Sequence, residues 1–247
     1  MAQSTSAETF DLSIFIPAYL EAENLSMILP EIRRAASALT PRFEILVVDT
    51  LDDMDGTGES CRQHGVRHIH RRGGNSYGDA IRTAISEVRG TYVLCMDADG
   101  SHSPSSFASM WAAREVNGVV IGSRYVPGGH TENPAVLVWM STILNMIFRM
   151  VFSLKARDVT NSFRLYHGPV LAQLVLKSND FDIVEEILIK AMIRRPPARI
   201  VEVPVTFGRR KAGDSKRKLV QFAFGYLGTL RRLRRFAKAA RQEQGRK

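Results

Sequence analysis

The chain is poor in cysteine, with only Cys61 and Cys95 among its 247 residues. Cys95 lies inside an apolar run that reads as a buried strand. A disulfide framework is excluded, which fits a reducing compartment. Residues 1–10 are polar and lack an apolar core of signal-peptide length, so export is not expected. The longest apolar stretch, residues 134–154, holds Asn145 and Arg149 near its middle, whereas a spanning helix needs roughly 20 residues with few or no charges. An interfacial or buried helix is the expectation there. His64, His68, His70, His130 and His167 form no zinc-like spacing with cysteine, and no zinc site is expected. There is no internal repeat or low-complexity segment, and no linker divides the first 208 residues.

What is present is a well-mixed composition, 45% hydrophobic and 24% charged, with a net charge of +9. That mixture excludes a disordered or fibrous chain and suits one large α/β domain. The charge is unevenly placed. Residues 209–247 hold 14 basic and 2 acidic side chains, leaving 20 basic and 23 acidic in residues 1–208. The body is faintly acidic with a basic end. The excess charge could meet nucleic acid or an anionic membrane, but no aromatic stacking set or groove-reading motif accompanies it, and nucleic acid is not expected.

Apolar runs of strand length at residues 12–16, 43–48, 66–70, 92–96, 119–121 and 200–205 alternate with amphipathic stretches of helix length at 22–39, 56–64, 77–89 and 104–116. This pattern predicts βαβ units and a parallel sheet, with chemistry beyond the carboxyl ends of the strands. Those ends carry Glu21, Asp49, and Asp97 with Asp99.

Asp97-Ala98-Asp99 is the strongest signal. Two carboxylates flanking a small residue can share Mg²⁺ or Mn²⁺ that also takes phosphate oxygens; the competing reading is a solvated turn. Gly73-Gly74-Asn75-Ser76-Tyr77-Gly78 opens a helix, where glycine permits close approach and the N-terminus favours phosphate, although a plain turn and cap looks the same. Gly122-Ser123-Arg124-Tyr125 and the basic segment 207–216 offer cations for a phosphate site if they reach the same crevice. His102 could ligate or support a metal, with a structural role the better expectation.

Taken in order, these pieces resemble the family 2 glycosyltransferases of the GT-A fold, and within them the dolichol-phosphate mannose synthase group. The residues carrying the resemblance are Ile16-Pro17-Ala18-Tyr19-Leu20-Glu21-Ala22-Glu23-Asn24, Val47-Val48-Asp49, Asp55-Gly56-Thr57, Met96-Asp97-Ala98-Asp99 with Ser101-His102, Gly122-Ser123-Arg124-Tyr125, Phe163-Arg164 and Gly213-Asp214-Ser215-Lys216. It implies one GT-A domain over residues 11–215, with a single mostly parallel Rossmann-like sheet flanked by helices. A flexible segment, residues 1–10, would precede it, and an amphipathic basic helix and tail, residues 216–247, would follow.

The resemblance further implies a nucleotide-sugar donor, with Pro17, Ala18, Tyr19, Glu21 and Asp49 lining the nucleoside pocket and Gly78 and Ala98 beside the donor. Asp97 and Asp99 would hold the metal with Ser101 nearby. Arg210 and Lys216 would face the phosphates from a closing loop. Arg124, Ser141 and Arg164 would face the acceptor. Four positions depart from the pattern: Leu20 and Thr50 stand where similar enzymes carry Asn and Asp, Leu137 where they carry Arg, and Ser162 where they carry Gly.

The implied reaction is inverting, metal-dependent transfer of a hexose, mannose from GDP-mannose, to polyprenyl or dolichyl phosphate. An anionic membrane surface would then carry the basic end. The alternative is transfer from another UDP- or GDP-linked sugar to a soluble small-molecule hydroxyl, which needs a carboxylate base; Asp182, Glu185 and Glu186 are the candidates. A cytoplasmic protein is expected, peripheral on the cytoplasmic face of a membrane if the acceptor is lipid-borne.

Overall fold

The computed structural model describes residues 9–115, 118–194, 199–211 and 219–244. The chain order is β1 (Phe10–Pro17), α1 (Ala22–Ser37), β2 (Phe43–Asp49), α2 (Thr57–Gln63), β3 (Arg67–His70), α3 (Tyr77–Glu87), β4 (Gly90–Cys95), a 3₁₀ turn at Pro104–Ser106, α4 (Phe107–Ala112) and β5 (Gly118–Ser123). There follow β6 (His130–Thr131), α5 (Ala135–Phe152), β7 (Arg164–His167), α6 (Gly168–Leu171), α7 (Ile183–Arg194), β8 (Arg199–Pro204), β9 (Thr206–Phe207) and α8 (Leu219–Gln244).

Seven of these strands form one sheet in the order β3-β2-β1-β4-β7-β5-β8. All neighbours are parallel except β7, which runs antiparallel between β4 and β5. β1 and β2 are nearly continuous apolar runs because helices cover both faces of the sheet. Ser13 is the polar exception in β1. Its hydroxyl donates to Glu44 at 2.5 Å and accepts from the Gly90 amide at 2.7 Å, pinning three adjacent strands. The amphipathic helix α1 buries Leu25, Ile28, Leu29, Ile32 and Ala36, a spacing of three and four that puts one stripe on the sheet.

The order reverses at β1, from which the chain moves first to β2 and β3 and later to β4. Such a switch point opens a crevice at the carboxyl ends of the strands, and the ends of β1, β2, β4 and β5 meet there. The parallel scaffold agrees with the sequence pattern. The antiparallel β7 does not appear in that pattern, since it is four residues long and begins with an arginine.

Two other elements carry the long apolar stretch and the basic end. α5 is long and apolar enough to cross a membrane by length and composition, yet only 17% of it is buried, so it is not a core helix. Asn145, Phe148 and Phe152 face inward, while Val136, Trp139, Ile143, Met146 and Met150 form one exposed stripe. The basic end, expected as an amphipathic helix and tail, carries α8. Within α8, Tyr226, Leu233 and Ala237 are buried in the core that includes α7, and Arg232 lies 3.6 Å from Asp182 and 3.8 Å from Glu186.

Candidate active site

The crevice is built from four strand ends held at fixed spacing. Past β1, the Ala18 amide donates to the Val48 carbonyl of β2 at 2.9 Å. Tyr19 and Leu20 turn outward, and Leu20 adopts a left-handed backbone with φ of +57°. Glu21 follows, mostly buried, with its Oε2 accepting from Asn24 Nδ2 at 2.7 Å. Asp55 joins the first turns of α1 and α2 by accepting from the amides of Ala22 at 3.1 Å and Thr57 at 3.0 Å.

Asp49 at the end of β2 is 1% exposed. Its Oδ1 accepts from the Thr50 amide at 2.7 Å, and its Oδ2 lies 3.1 Å from His68 Nε2. Of the residues expected to line a nucleoside pocket, Tyr19 is exposed, while Pro17, Ala18 and Asp49 are buried.

The residue that ties this region together is Arg71. Only 3% exposed, it donates to the carbonyls of Asp49 at 2.9 Å, Asn75 at 3.0 Å, Ser76 at 3.1 Å and Ala18. The ends of β1 and β2 and the start of α3 therefore share one guanidinium. Sequence reasoning missed it, because nothing in its neighbourhood of basic residues separates Arg71 from Arg72.

At the end of β4, Asp97 is half-buried and both of its carboxylate oxygens lie 3.1 Å from the Ser162 hydroxyl. The residue that departs from the family pattern is thus a donor to the first carboxylate of the pair. The Asp97 amide donates to His102 Nδ1 at 3.0 Å, so the proton sits on Nε2, which faces Asn161 Oδ1 at 3.1 Å. His102 stacks on Phe163 and is 1% exposed. Its role is structural.

Asp99 accepts from the Ser101 hydroxyl at 2.6 Å and the Ser101 amide at 3.0 Å. Burial acts to raise the Asp99 carboxyl, but the Ser101 hydrogen bonds and the Arg210 charge hold it below the usual carboxylate range. Ser101 was expected as a metal neighbour. It is 2% exposed with its proton directed at Asp99, so it orients a carboxylate and does not open an oxygen to the crevice.

The segment following β9 lies against this loop. Gly208 and Lys211 donate their amides to the carbonyls of Ser101 and Asp99, both at 2.9 Å. Arg210 pairs with Glu21 and places Nη1 3.6 Å from Asp99 Oδ2. Its guanidinium bridges the loops after β1 and β4. Lys216 lies outside the described residues.

On the β5 side, Arg124 makes a two-pronged pair with Asp158 at 2.8 and 2.7 Å and reaches Thr160 at 3.0 Å. It also lies over the rings of Tyr125 and Phe207. Ser141 of α5 hydrogen-bonds the Tyr125 hydroxyl, which connects this side of the crevice to the exposed apolar helix.

Several expected site residues are placed elsewhere. Arg164 is fully buried, donating to the carbonyls of Val184 at 2.7 Å and Val159; it braces β7 against α7 and presents no atom to an acceptor. Gly78 is buried under the backbone at 178–179, where a Cβ would come within 2.3 Å of the Ser178 carbonyl. The first turn of α3 is already occupied, with the Gly78 amide on Asn179 O at 2.7 Å and the Ser76 and Asp79 side chains closing a capping box. It is a packing glycine and not a phosphate cradle.

The three candidate bases are also closed. Glu186 accepts from the amides of Ser178 at 2.7 Å and Lys177 at 2.9 Å and from Lys190 at 2.5 Å. Asp182 accepts from Thr229 of α8. Burial pushes the Glu185 carboxyl up to about 8 despite the opposing Arg164 charge. Glu185 and Glu186 are fully buried, and Asp182 is 6% exposed. The expectation of a carboxylate base on this segment is not met by their placement.

A family model described as Glycosyl transferase family 2 matches residues 13–174. A dolichol-phosphate mannosyltransferase of Pyrococcus furiosus is 33% identical over 231 residues, 90% of this chain and 63% of that protein. The chain therefore spans less than two thirds of that relative. An undecaprenyl-phosphate mannosyltransferase of Micrococcus luteus is 33% identical over 216 residues, 81% of this chain and 85% of that protein. Among solved structures, a glucosyl-3-phosphoglycerate synthase from Mycobacterium tuberculosis, in complex with Mn²⁺, UDP-glucose and phosphoglyceric acid, superposes with a TM-score of 0.67 at 17% identity, covering 92% of this chain and 80% of that one. With its mostly parallel GT-A sheet and matched family motifs, the chain belongs to the family 2 glycosyltransferases.

Proposed function

We propose that this glycosyltransferase moves a hexose, mannose from GDP-mannose, to a polyprenyl phosphate with inversion at the transferred sugar. The names of the two relatives support a polyprenyl-phosphate acceptor. The observation that carries the reading is the closure of Asp182, Glu185 and Glu186 behind α7 and α8. A hydroxyl acceptor needs a base to remove its proton. A phosphate monoester, with its second pKa near ~6, is already mostly ionised at neutral pH and needs cations to position it.

In this reading the nucleoside lies over Pro17, Ala18, Tyr19 and Asp49, with Arg71 holding the loops beneath it. The carboxylates of Asp97 and Asp99 would hold Mg²⁺ or Mn²⁺, and the donor set fits: both offer hard oxygens, and Asp99 lies beside a protein cation. When bound, the ion would supply positive charge against the negative charge developing on the leaving diphosphate. Arg210 adds a second cation, for which it must exchange Glu21 for phosphate oxygens. Lys216 is assigned the same task. Arg124, set by Asp158, and Ser141, through Tyr125, line the acceptor side. The acceptor phosphate oxygen attacks the anomeric carbon opposite the departing diphosphate.

α5 gives the acceptor its approach. Its exposed stripe lies in the headgroup region of the membrane with Ser141 at the crevice, and the outward arginines of α8, Arg231, Arg234 and Arg235, contribute about 1 kcal/mol each near anionic lipid. The deciding experiment offers the full chain radiolabelled GDP-mannose and UDP-glucose with polyprenyl phosphate. Label in the lipid phase from GDP-mannose supports the reading. Label only in a water-soluble product overturns it.

A further inference from the structure

We propose that Asp53, His68 and His70 form a second metal site, one that takes Zn²⁺ or a similar borderline divalent ion and is separate from the Asp97–Asp99 pair. One ring nitrogen of each histidine and one carboxylate oxygen of Asp53 all lie within 4.8 Å of one another. The two imidazoles share a face of β3 because they sit two residues apart on a strand, and β3 is the edge strand of the sheet. Their ring centroids are 5.0 Å apart in an edge arrangement.

The tautomer of His70 is fixed by its partner. Its Nδ1 lies 2.6 Å from the Thr50 carbonyl, which can only accept, so Nδ1 carries the proton and Nε2 keeps its lone pair. That free nitrogen lies 3.8 Å from Asp53 Oδ1. His68 likewise has an acceptor behind it, Asp49 Oδ2 at 3.1 Å. Metal-bound imidazoles characteristically direct their other nitrogen to a carbonyl or carboxylate, and here both outer partners come from the end of β2. Tetrahedral zinc with bonds of about 2.0–2.2 Å separates its ligands by about 3.3–3.6 Å. The His70 Nε2–Asp53 Oδ1 separation of 3.8 Å is already close to that range.

Two nitrogens and one oxygen suit Zn²⁺, Co²⁺ or Ni²⁺, whereas Mg²⁺ prefers an all-oxygen set. A bound ion would fasten the loop carrying Asp53 to the edge strand beside Asp49. Cysteine spacing could not find this cluster, because its ligands alternate along a strand and the third comes from a loop that precedes them.

The test strips the full chain of metal with a chelator, then titrates Zn²⁺ by calorimetry and Co²⁺ by its visible ligand-field bands. One tight site is expected, with affinity reduced at least about tenfold in Asp53→Asn and in His70→Ala and the Co²⁺ bands retained in Asp99→Asn. Asp53→Asn changes only an exposed loop side chain, which keeps folding out of the result. Equal affinity in the wild type and both ligand variants, or Co²⁺ bands abolished by Asp99→Asn, would overturn the assignment. Neither readout depends on which sugar or acceptor the enzyme uses.

Discussion

Arg210 spans the crevice between Glu21 and Asp99, pairing with the first and placing Nη1 3.6 Å from the second. One cation thus joins the loop after β1 to the loop after β4, from a segment whose backbone is tied to Ser101 and Asp99. If this guanidinium meets the leaving diphosphate, Arg210→Ala lowers kcat/KM on the order of a hundredfold, as for loss of one stabiliser of developing charge. Because Glu21 is mostly buried, losing its partner should also lower the unfolding midpoint somewhat, so the rates are compared at a temperature where both proteins are folded. Steady-state rates beside thermal unfolding check this, and an unchanged rate removes Arg210 from the site.

Asp99 is held ionised by Ser101 and Arg210, and Asp97 is contacted by Ser162. Asp99→Ala is expected to lose transfer activity by two orders of magnitude or more, on the order of what a Lewis-acid contribution of several kcal/mol implies. Chelation should stop the wild-type enzyme, and added Mn²⁺ or Mg²⁺ should restore it. Full activity in the presence of chelator would exclude the metal role.

Leu20 holds a left-handed backbone at φ of +57° with its side chain exposed. For an ordinary L-residue that conformation costs about 1–2 kcal/mol, while asparagine tolerates it. Leu20→Asn should therefore stabilise the fold by about 1 kcal/mol, raising Tm by about 2–4 °C for a chain of this size. Calorimetry decides, and a lower Tm would mean that Leu20 makes compensating contacts.

Glu185 is fully buried and its carboxyl is pushed up to about 8. Between about pH 4.3 and pH 8 the folded state keeps a proton that the unfolded state releases, so stability falls as pH rises, by up to about 1.4 kcal/mol per unit. Glu186 has the opposite sign. Burial raises it, but Lys190 and the amides of Ser178 and Lys177 leave it below the usual range; its contribution is present above about pH 4.3 and lost as pH falls through the depressed value. Urea unfolding across pH 5–8 should slope downward in the wild type and flatten in Glu185→Gln. Equal slopes would place the Glu185 carboxylate in contact with water.

The parallel half of the fold was legible because buried strands and their flanking helices announce themselves through apolar runs and amphipathic periods. The carboxylate pair was legible because it stands directly after such a strand. β7 was not, since its leading residue is an arginine whose charge is met by the Val159 and Val184 carbonyls, contacts remote from its own sequence neighbours. The same limit misplaced Gly78, where glycine answers to the backbone at 178–179. It also hid Arg71 and Ser162, whose partners come from other strand ends. Local pattern identifies strand ends but not which distant group meets them.

Trp139 stands 72% exposed at the centre of the apolar stripe on α5, whereas the chain's other tryptophan, Trp111, packs against Tyr92 and Arg114. The outward positions, residues 136, 139, 143, 146 and 150, step by three and four along one helix face. Burying that face in an interface contributes roughly 1.5–3 kcal/mol for each large side chain fully removed from water. In Trp111→Phe, where Trp139 alone reports, anionic phosphatidylglycerol vesicles should shift the emission to the blue, more strongly than neutral vesicles, because the arginines of α8 add attraction to charged headgroups. Met150→Glu on the same stripe should weaken vesicle binding about tenfold or more, a loss of about 1.4 kcal/mol, without lowering Tm, since its side chain leaves no core contact. Emission unchanged by vesicles, together with a concentration-dependent dimer in sedimentation, would assign the stripe to a second copy of the chain.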